Sequence, residues 1–276
     1  MKDKNMKDRI FRSLIWLSAA LTAGILAWIL GYVLYKGIGQ ISWEFISSMA
    51  RGSGEGGILP MIVTTFYVIG VSILIVTPIG ICAAIYMVEY AKPGPMVRSI
   101  RFATESLAGI PSIIFGLFGF LLFVTALHFK FSILSGALTL SIMVLPTIVR
   151  TTEEALKSVP DAYREGSLGL GASKLSTIVK VILPTAIPGI LAAVILSIGR
   201  IVGETAAVYM TVGMAPYIPR GLMDSGRTLS VHLYILAKEG ISFEKAYATA
   251  TVLIFLVAII NLLANRMAAM LKRNRG

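Results

Sequence analysis

An all-α membrane protein that crosses the bilayer six times is the fold this sequence predicts, and three observations carry the prediction. Of its 276 residues 56% are hydrophobic and 14% charged, a balance outside the ordinary soluble range. Six segments free of Asp, Glu, Lys and Arg come up to the length of about 20 residues that a hydrocarbon core requires. With the N-terminus in the cytoplasm, 17 Lys and Arg residues fall inside and 7 outside, Arg200 remaining within a span. The net charge of +11 thus serves topology and attraction to anionic lipid heads. No soluble face interleaves basic and aromatic residues, so nucleic acid is not an expected partner.

The first segment, Ser13–Tyr35, follows Lys2, Lys4, Lys7, Arg9 and Arg12. Its apolar run exceeds the ~7–15 residues of a signal core and no A-x-A site follows, so it is read as an uncleaved helix. An outer loop then ends in the flexible "RGSGEGG". In the second segment, Gly56–Val88, Pro78 and Gly80 predict a bend or break near Thr77, with "ICAAIYMVEYAKPGP" running along the inner leaflet. The third and fourth, Ser106–Phe129 and Phe131–Val149, are separated only by "HFKFS" and are expected to be antiparallel neighbours. Gly109 and Pro111 in "AGIPS" are placed to break the third and free backbone N–H groups for an anion. The fifth is Val181–Gly199 and the sixth Ala246–Asn265. Between them, in the outer loop 209–245, Leu229, Leu233 and Leu236 predict a short helix on the outer membrane surface. The organisation is a tail, first helix and loop over 1–55, a core over 56–268, and a basic cytoplasmic tail over 269–276.

The cytoplasmic stretch 151–184 is too well patterned for a linker. "REGSLGLGASKLSTIVKVILP" has the glycines, lysine and serine of a phosphate-cradling loop. The Walker spacing fails, however, because Ala172 and Ser173 separate Gly171 from Lys174, and the dinucleotide pattern fails because Lys174 stands where its third glycine belongs. The residues instead predict a helix capped by Asp161, a turn at Gly169 and Gly171, and a second helix capped by Ser173. In that second helix Leu175, Ile178, Val179 and Ile182 recur at helical spacing, and Pro184 is expected to interrupt it. Such an elbow suits a socket on another protein.

Glu165-Gly166-Ser167, Gly171 six positions after the glutamate, and Val181 followed by Leu183-Pro184 resemble the EAA loop of ABC importer permeases (EAA, three residues, G, nine residues, I-x-LP). The departures are Gly166 and Ser167 in place of alanines and Val181 in place of isoleucine. The resemblance extends over nearly the whole chain and is strongest to the phosphate-importer permeases, through "PIGICAAIYMVEYA", "ESLAGIPSIIFGLFG", "LPTIVRTTEEALKSVPDAYREGSLGLGASK" and "LPTAIPGILAAVILSIGRIVGETAA". It implies the MetI-like permease architecture with both termini cytoplasmic, in a bacterial or archaeal cell membrane. It also implies that Glu165, Gly166, Ser167, Gly171, Ala172, Leu183 and Pro184 dock onto an ATP-binding ABC subunit dimer. A second homologous permease subunit, an extracytoplasmic phosphate-binding protein and phosphate as cargo complete the implied set. Import of another oxyanion, molybdate or sulfate, is the alternative within the class, and an ion-coupled secondary transporter the alternative outside it.

Arg200 falls beyond the midpoint of the fifth span, where a guanidinium costs about 2.5–3.5 kcal/mol on insertion scales and therefore faces protein or water. Glu204 lies one turn on, so the two are expected to share a face. Two readings stand: the pair holds helices or subunits together, or the guanidinium fork receives phosphate oxygens on a pathway. In the resembled permeases the matching Arg and Glu are implicated in translocation, which favours the second. Glu105 is a further pathway candidate, though Arg101 four residues earlier explains it as a surface pair. Cys82, alone in an apolar segment, reads as a packed and inert thiol, and His128 and His232 lack ligand-spaced neighbours. No metal or cofactor is expected, and no nucleophile-base set marks the chain as an enzyme.

Overall fold

The computed structural model describes residues 2–51, 55–92 and 94–273. The chain opens with α1 (Lys2–Ile38), the short α2 (Trp43–Ser47) and a two-residue antiparallel pairing of β1 (Ala50–Arg51) with β2 (Glu55–Gly56). The centre of the flexible "RGSGEGG" lies outside the described residues. Next come α3 (Leu59–Ile85), α4 (Pro95–Ala108), α5 (Ser112–Gly119), α6 (Ile133–Lys157), α7 (Asp161–Gly169) and α8 (Lys174–Thr177). The chain closes with α9 (Leu183–Gly203), α10 (Ala206–Thr211), α11 (Leu229–Lys238) and α12 (Phe243–Arg273). Three π-helical segments, Tyr86–Tyr90, Phe120–Ala126 and Ile178–Ile182, extend α3 and α5 and join α8 to α9.

Five helical stretches are long and apolar enough to span a membrane: Phe11–Ile38, Leu59–Tyr90, Ile133–Lys157, Lys174–Gly203 and Phe243–Arg266. A bent pair, in which α4 turns by 103° into the helix that begins at Ser112, is apolar enough to make a sixth if the two count as one span; the bend falls at Gly109–Pro111, where the sequence predicts a break. Two thirds of the most apolar stretch of α6 is buried and none of that of α1, so α6 is the central post. It packs against α3, α5 and α9 through Leu140, Met143, Val144 and Ile148, each 0% exposed. Lipid is as apolar as these side chains, so close approach decides the packing, and small residues permit it. A Cβ on Gly119 would collide with Thr139, one on Gly80 would meet Ile148 Cγ2 at 2.6 Å, and one on Gly189 would strike Ala155.

Several expectations are corrected. No break occurs near Thr77: α3 passes through Pro78 and continues to Tyr90, because Gly80 presses it onto α6 and a π-helical turn, not a stop, follows. The segment expected along the inner leaflet is thus the end of the second span. Nor does Pro184 interrupt its helix. The π-helical segment Ile178–Ile182 shifts the hydrogen-bond ladder just ahead of it, and Lys174–Gly203 is one continuous helix. The fourth span does not stop at Val149 but runs on to Lys157. The helix α11 is not laid on the outer surface, since Leu229, Val231, His232, Ile235 and Leu236 are buried within the protein. Cys82 is exposed on α3, not packed. The basic tail expected over 269–276 is helical to Arg273.

Candidate functional site

The elbow is built at the end of α6. Pro160 supplies the fixed φ that starts α7, and Asp161 is the first helical residue, not the cap. Gly171 has φ +83, the left-handed conformation that glycine adopts without steric cost, and the chain reverses there. The turn is closed by Gly171 N–H donating to the Leu168 carbonyl (2.9 Å) and Ala172 N–H to that of Ser167 (3.2 Å). Ser173 caps α8 as expected, its Oγ accepting from Ser176 N–H at 3.3 Å. The Ser167 and Thr177 hydroxyls, 2.9 Å apart, bridge the two arms.

At the tip, Leu170 is 91% and Leu175 63% exposed, with Tyr163, Leu168, Val179 and Glu165 exposed beside them. Gly166 has open space around it and Ala172 is half-buried. The apolar set expected on one helix face divides: Ile178 is buried and Ile182 joins Ala84, Leu156 and Ala186 in a core cluster, whereas Leu175 and Val179 face out. Leu183 and Pro184 are half-buried at the root, and Leu183 packs on that same cluster. An uncovered apolar knob on a rigid polar frame is the feature this end of the molecule offers to a partner.

Sequence reasoning missed what fixes the frame. Arg164 Nε and Nη2 donate to Glu89 Oε1 at 3.1 and 2.9 Å, and its remaining donors reach the carbonyls of Leu156 and Val159 and the carboxylate of Asp161. Lys174 lies 4.9 Å over the Tyr90 ring, so α8 is also held to the end of the second span. Glu89 breaks the apolar run at the end of that span, but its partner lies 75 residues away and one sequence does not join them.

A second group of charges lines a cleft of about 380 Å³ between α4 and α6. Glu105 is exposed there and is not paired with Arg101; Arg101 reaches across to Glu153, which also accepts from Lys157 at 2.6 Å. The expected surface pair on α4 is therefore replaced by a bridge between helices, since the carboxylate of Glu153 is the more buried.

Arg200 is exposed on α9, while Glu204 is half-buried and, among the described residues, no ion pair joins them. The helix ends at Gly203 and Glu204 is extended (φ −73, ψ 128), which takes its side chain off the shared face. Its Oε1 accepts from Ala207 N–H at 3.3 Å, and its carbonyl accepts from Ser230 Oγ at 2.7 Å. The guanidinium is thus left free of the carboxylate that would have neutralised it. Gly199 and Gly203 beside it leave open space. His232 is buried behind this break, and burial, reinforced by Arg227 and Lys245, lowers its pKa to about 4, so its imidazole is neutral at pH 7. Among the described residues no group of three or more metal-ligating side chains gathers.

Residues 76–275 match the family model described as the binding-protein-dependent transport system inner membrane component. The chain is 33% identical over 286 residues to the probable ABC transporter permease protein YqgI of Bacillus subtilis, covering 98% of this chain and 97% of that one. It is 34% identical over 281 residues to the phosphate transport system permease protein PstA 1 of Mycobacterium tuberculosis, covering 99% and 92%. Among solved structures it superposes on a chain of a bacterial ABC transporter that imports the acidic polysaccharide alginate. The TM-score is 0.65 at 17% identity, with 95% of this chain and 99% of that one covered. An inward-facing MetNI methionine ABC transporter gives a TM-score of 0.59 at 20% identity, over 78% and 94%.

Proposed function

Because this chain belongs to the binding-protein-dependent transport system inner membrane component family, and is thus a non-catalytic, multi-pass permease subunit of an ABC importer, we propose that its cargo is inorganic phosphate. The observation that carries the reading is the exposed guanidinium of Arg200, the one charged side chain between Val181 and Gly203, released from Glu204. A planar fork of donors matches two phosphate oxygens, and it cannot face lipid without a cost of about 2.5–3.5 kcal/mol. Near-full-length similarity to permeases named for phosphate transport supports the same cargo.

Glu204, whose carboxylate accepts from Ala207 N–H at the start of α10, holds the break that leaves a pathway open beside Arg200. Glu105 stands at the cytoplasmic cleft, where it repels an anion and favours its departure. The elbow of Glu165, Gly166, Ser167, Gly171 and Ala172, rooted at Leu183 and Pro184, seats on an ATP-binding subunit dimer through the exposed Leu170 and Leu175. A second homologous permease completes the pathway, and an extracytoplasmic phosphate-binding protein delivers the ion. ATP moves the assembly between outward and inward arrangements by binding one more tightly than the other. The test is reconstitution with the co-purifying ATPase in proteoliposomes, comparing ATP-dependent accumulation of phosphate, sulfate and molybdate. Accumulation of sulfate or molybdate in preference to phosphate overturns the cargo and leaves the importer standing.

A further inference from the structure

Glu153 sits where α4 meets the end of α6. It is 8% exposed, and its Oε1 accepts both from Lys157, one turn along α6, and from Arg101 on α4. The two partners are not equivalent. Lys157 belongs to the same helix, so its bond orients the carboxylate without joining anything. The bond to Arg101 crosses between helices, and among the described residues it is the one ion pair that reaches α4. That helix has no fully buried residue and is set at 103° to α5 by the break at Gly109–Pro111. This 14-residue helix meets the core through partly buried side chains such as Leu107, beside a cleft of about 380 Å³, so the ion pair is a large share of what holds it to α6.

The other end of the tie leads to the elbow. From Glu153 the helix runs on to Lys157, and Arg164 grips the carbonyls of Leu156 and Val159 from the first arm of the elbow. A displacement of the elbow thus moves the last turns of α6 as one piece, and the carboxylate of Glu153 moves with them.

We infer that Glu153, acting through Arg101, is a positioning residue that transmits elbow motion to the bent α4–α5 pair and so opens the inner mouth of the pathway. This rests on the importer reading above. The unequal partners supply the test. Arg101→Gln removes the tie between helices and leaves Glu153 paired with Lys157; Lys157→Gln removes the bond within the helix and leaves the tie. In proteoliposomes of the whole transporter, Arg101→Gln and Glu153→Gln lower oxyanion imported per ATP hydrolysed by at least about fivefold, while hydrolysis stays within about twofold of wild type. Lys157→Gln keeps the ratio within about twofold, and Arg101→Lys restores most of it. A carboxylate that merely needed neutralising would respond alike to Arg101→Gln and Lys157→Gln. An unchanged ratio in Arg101→Gln, an equal fall in Lys157→Gln, or failure of Arg101→Gln to assemble each overturns the inference, the last because the bridge would then be a folding contact. A wild-type complex that neither hydrolyses ATP nor accumulates any oxyanion would instead sink the importer reading itself.

Discussion

Arg164 holds Glu89 with two donors of one guanidinium, at 3.1 and 2.9 Å, and so pins the first arm of the elbow to the end of the second span. The side chains are only 19% and 8% exposed, so neither charge can recover water if the other is removed. Arg164→Ala is expected to destabilise the fold by about 2–4 kcal/mol, since it strands a buried carboxylate and two helix-end carbonyls. Arg164→Lys recovers little of this, because an ammonium cannot fork across the same partners. Thermal unfolding of the purified protein in detergent reads both variants, and a wild-type melting temperature in Arg164→Ala would refute the role.

The elbow itself turns on Gly171, whose φ of +83 strains any β-branched side chain by about 1–3 kcal/mol. Gly171→Val is expected to leave membrane insertion intact and to cut uptake per ATP hydrolysed at least about tenfold, by misdirecting Leu170. Gly240, after α11 and away from the elbow, also has a positive φ (+64) with open space beside it, so Gly240→Val is the matched control and should couple normally. Equal coupling in both variants would show that the turn is not what the motor holds.

The contrast between these two contacts also explains how much was readable from the sequence. Local grammar reported itself: Gly171 gave the turn, Ser173 the cap and Gly109–Pro111 the break, because each acts within a few residues of its own position. Arg164 with Glu89 and Arg101 with Glu153 pair across 75 and 52 residues, and only the packed helices bring them together. Pro78 and Pro184 depart from their local expectation for the same reason. The local cost of proline there is real, yet neighbouring helices and a shifted ladder absorb it in a membrane protein. The expectation for Arg200 with Glu204 failed because helical spacing predicts a shared face only while the helix continues, and this one stops at Gly203.

His232 gives the fold a pH dependence with a definite sign. Its pKa is lowered to about 4 by burial first and then by Arg227 and Lys245, against an ordinary value of 6.5. The unfolded chain therefore binds a proton before the folded one does. Stability is fully present above about pH 6.5 and is lost as pH falls towards 4, to the extent of about 3 kcal/mol. His232→Asn should flatten that part of the profile. Melting temperatures between pH 7.5 and 4.5 that decline equally in wild type and variant would exclude the histidine as the cause.

Arg200 separates transport from assembly. Its side chain is exposed on α9 and makes no ion pair among the described residues, so Arg200→Ala breaks none of those described. If its donors receive the anion, Arg200→Ala should abolish oxyanion uptake, a loss of at least about a hundredfold, while the complex co-purifies in normal yield and still hydrolyses ATP. Arg200→Lys keeps the charge but offers no fork, and should retain a small fraction of the rate with weakened discrimination among oxyanions. A role confined to holding subunits together predicts the opposite pattern, in which Arg200→Ala loses its partners on purification and Arg200→Lys keeps them. Uptake by Arg200→Ala at the wild-type rate would take the guanidinium out of the pathway and leave its position in the span to be explained by subunit contact alone.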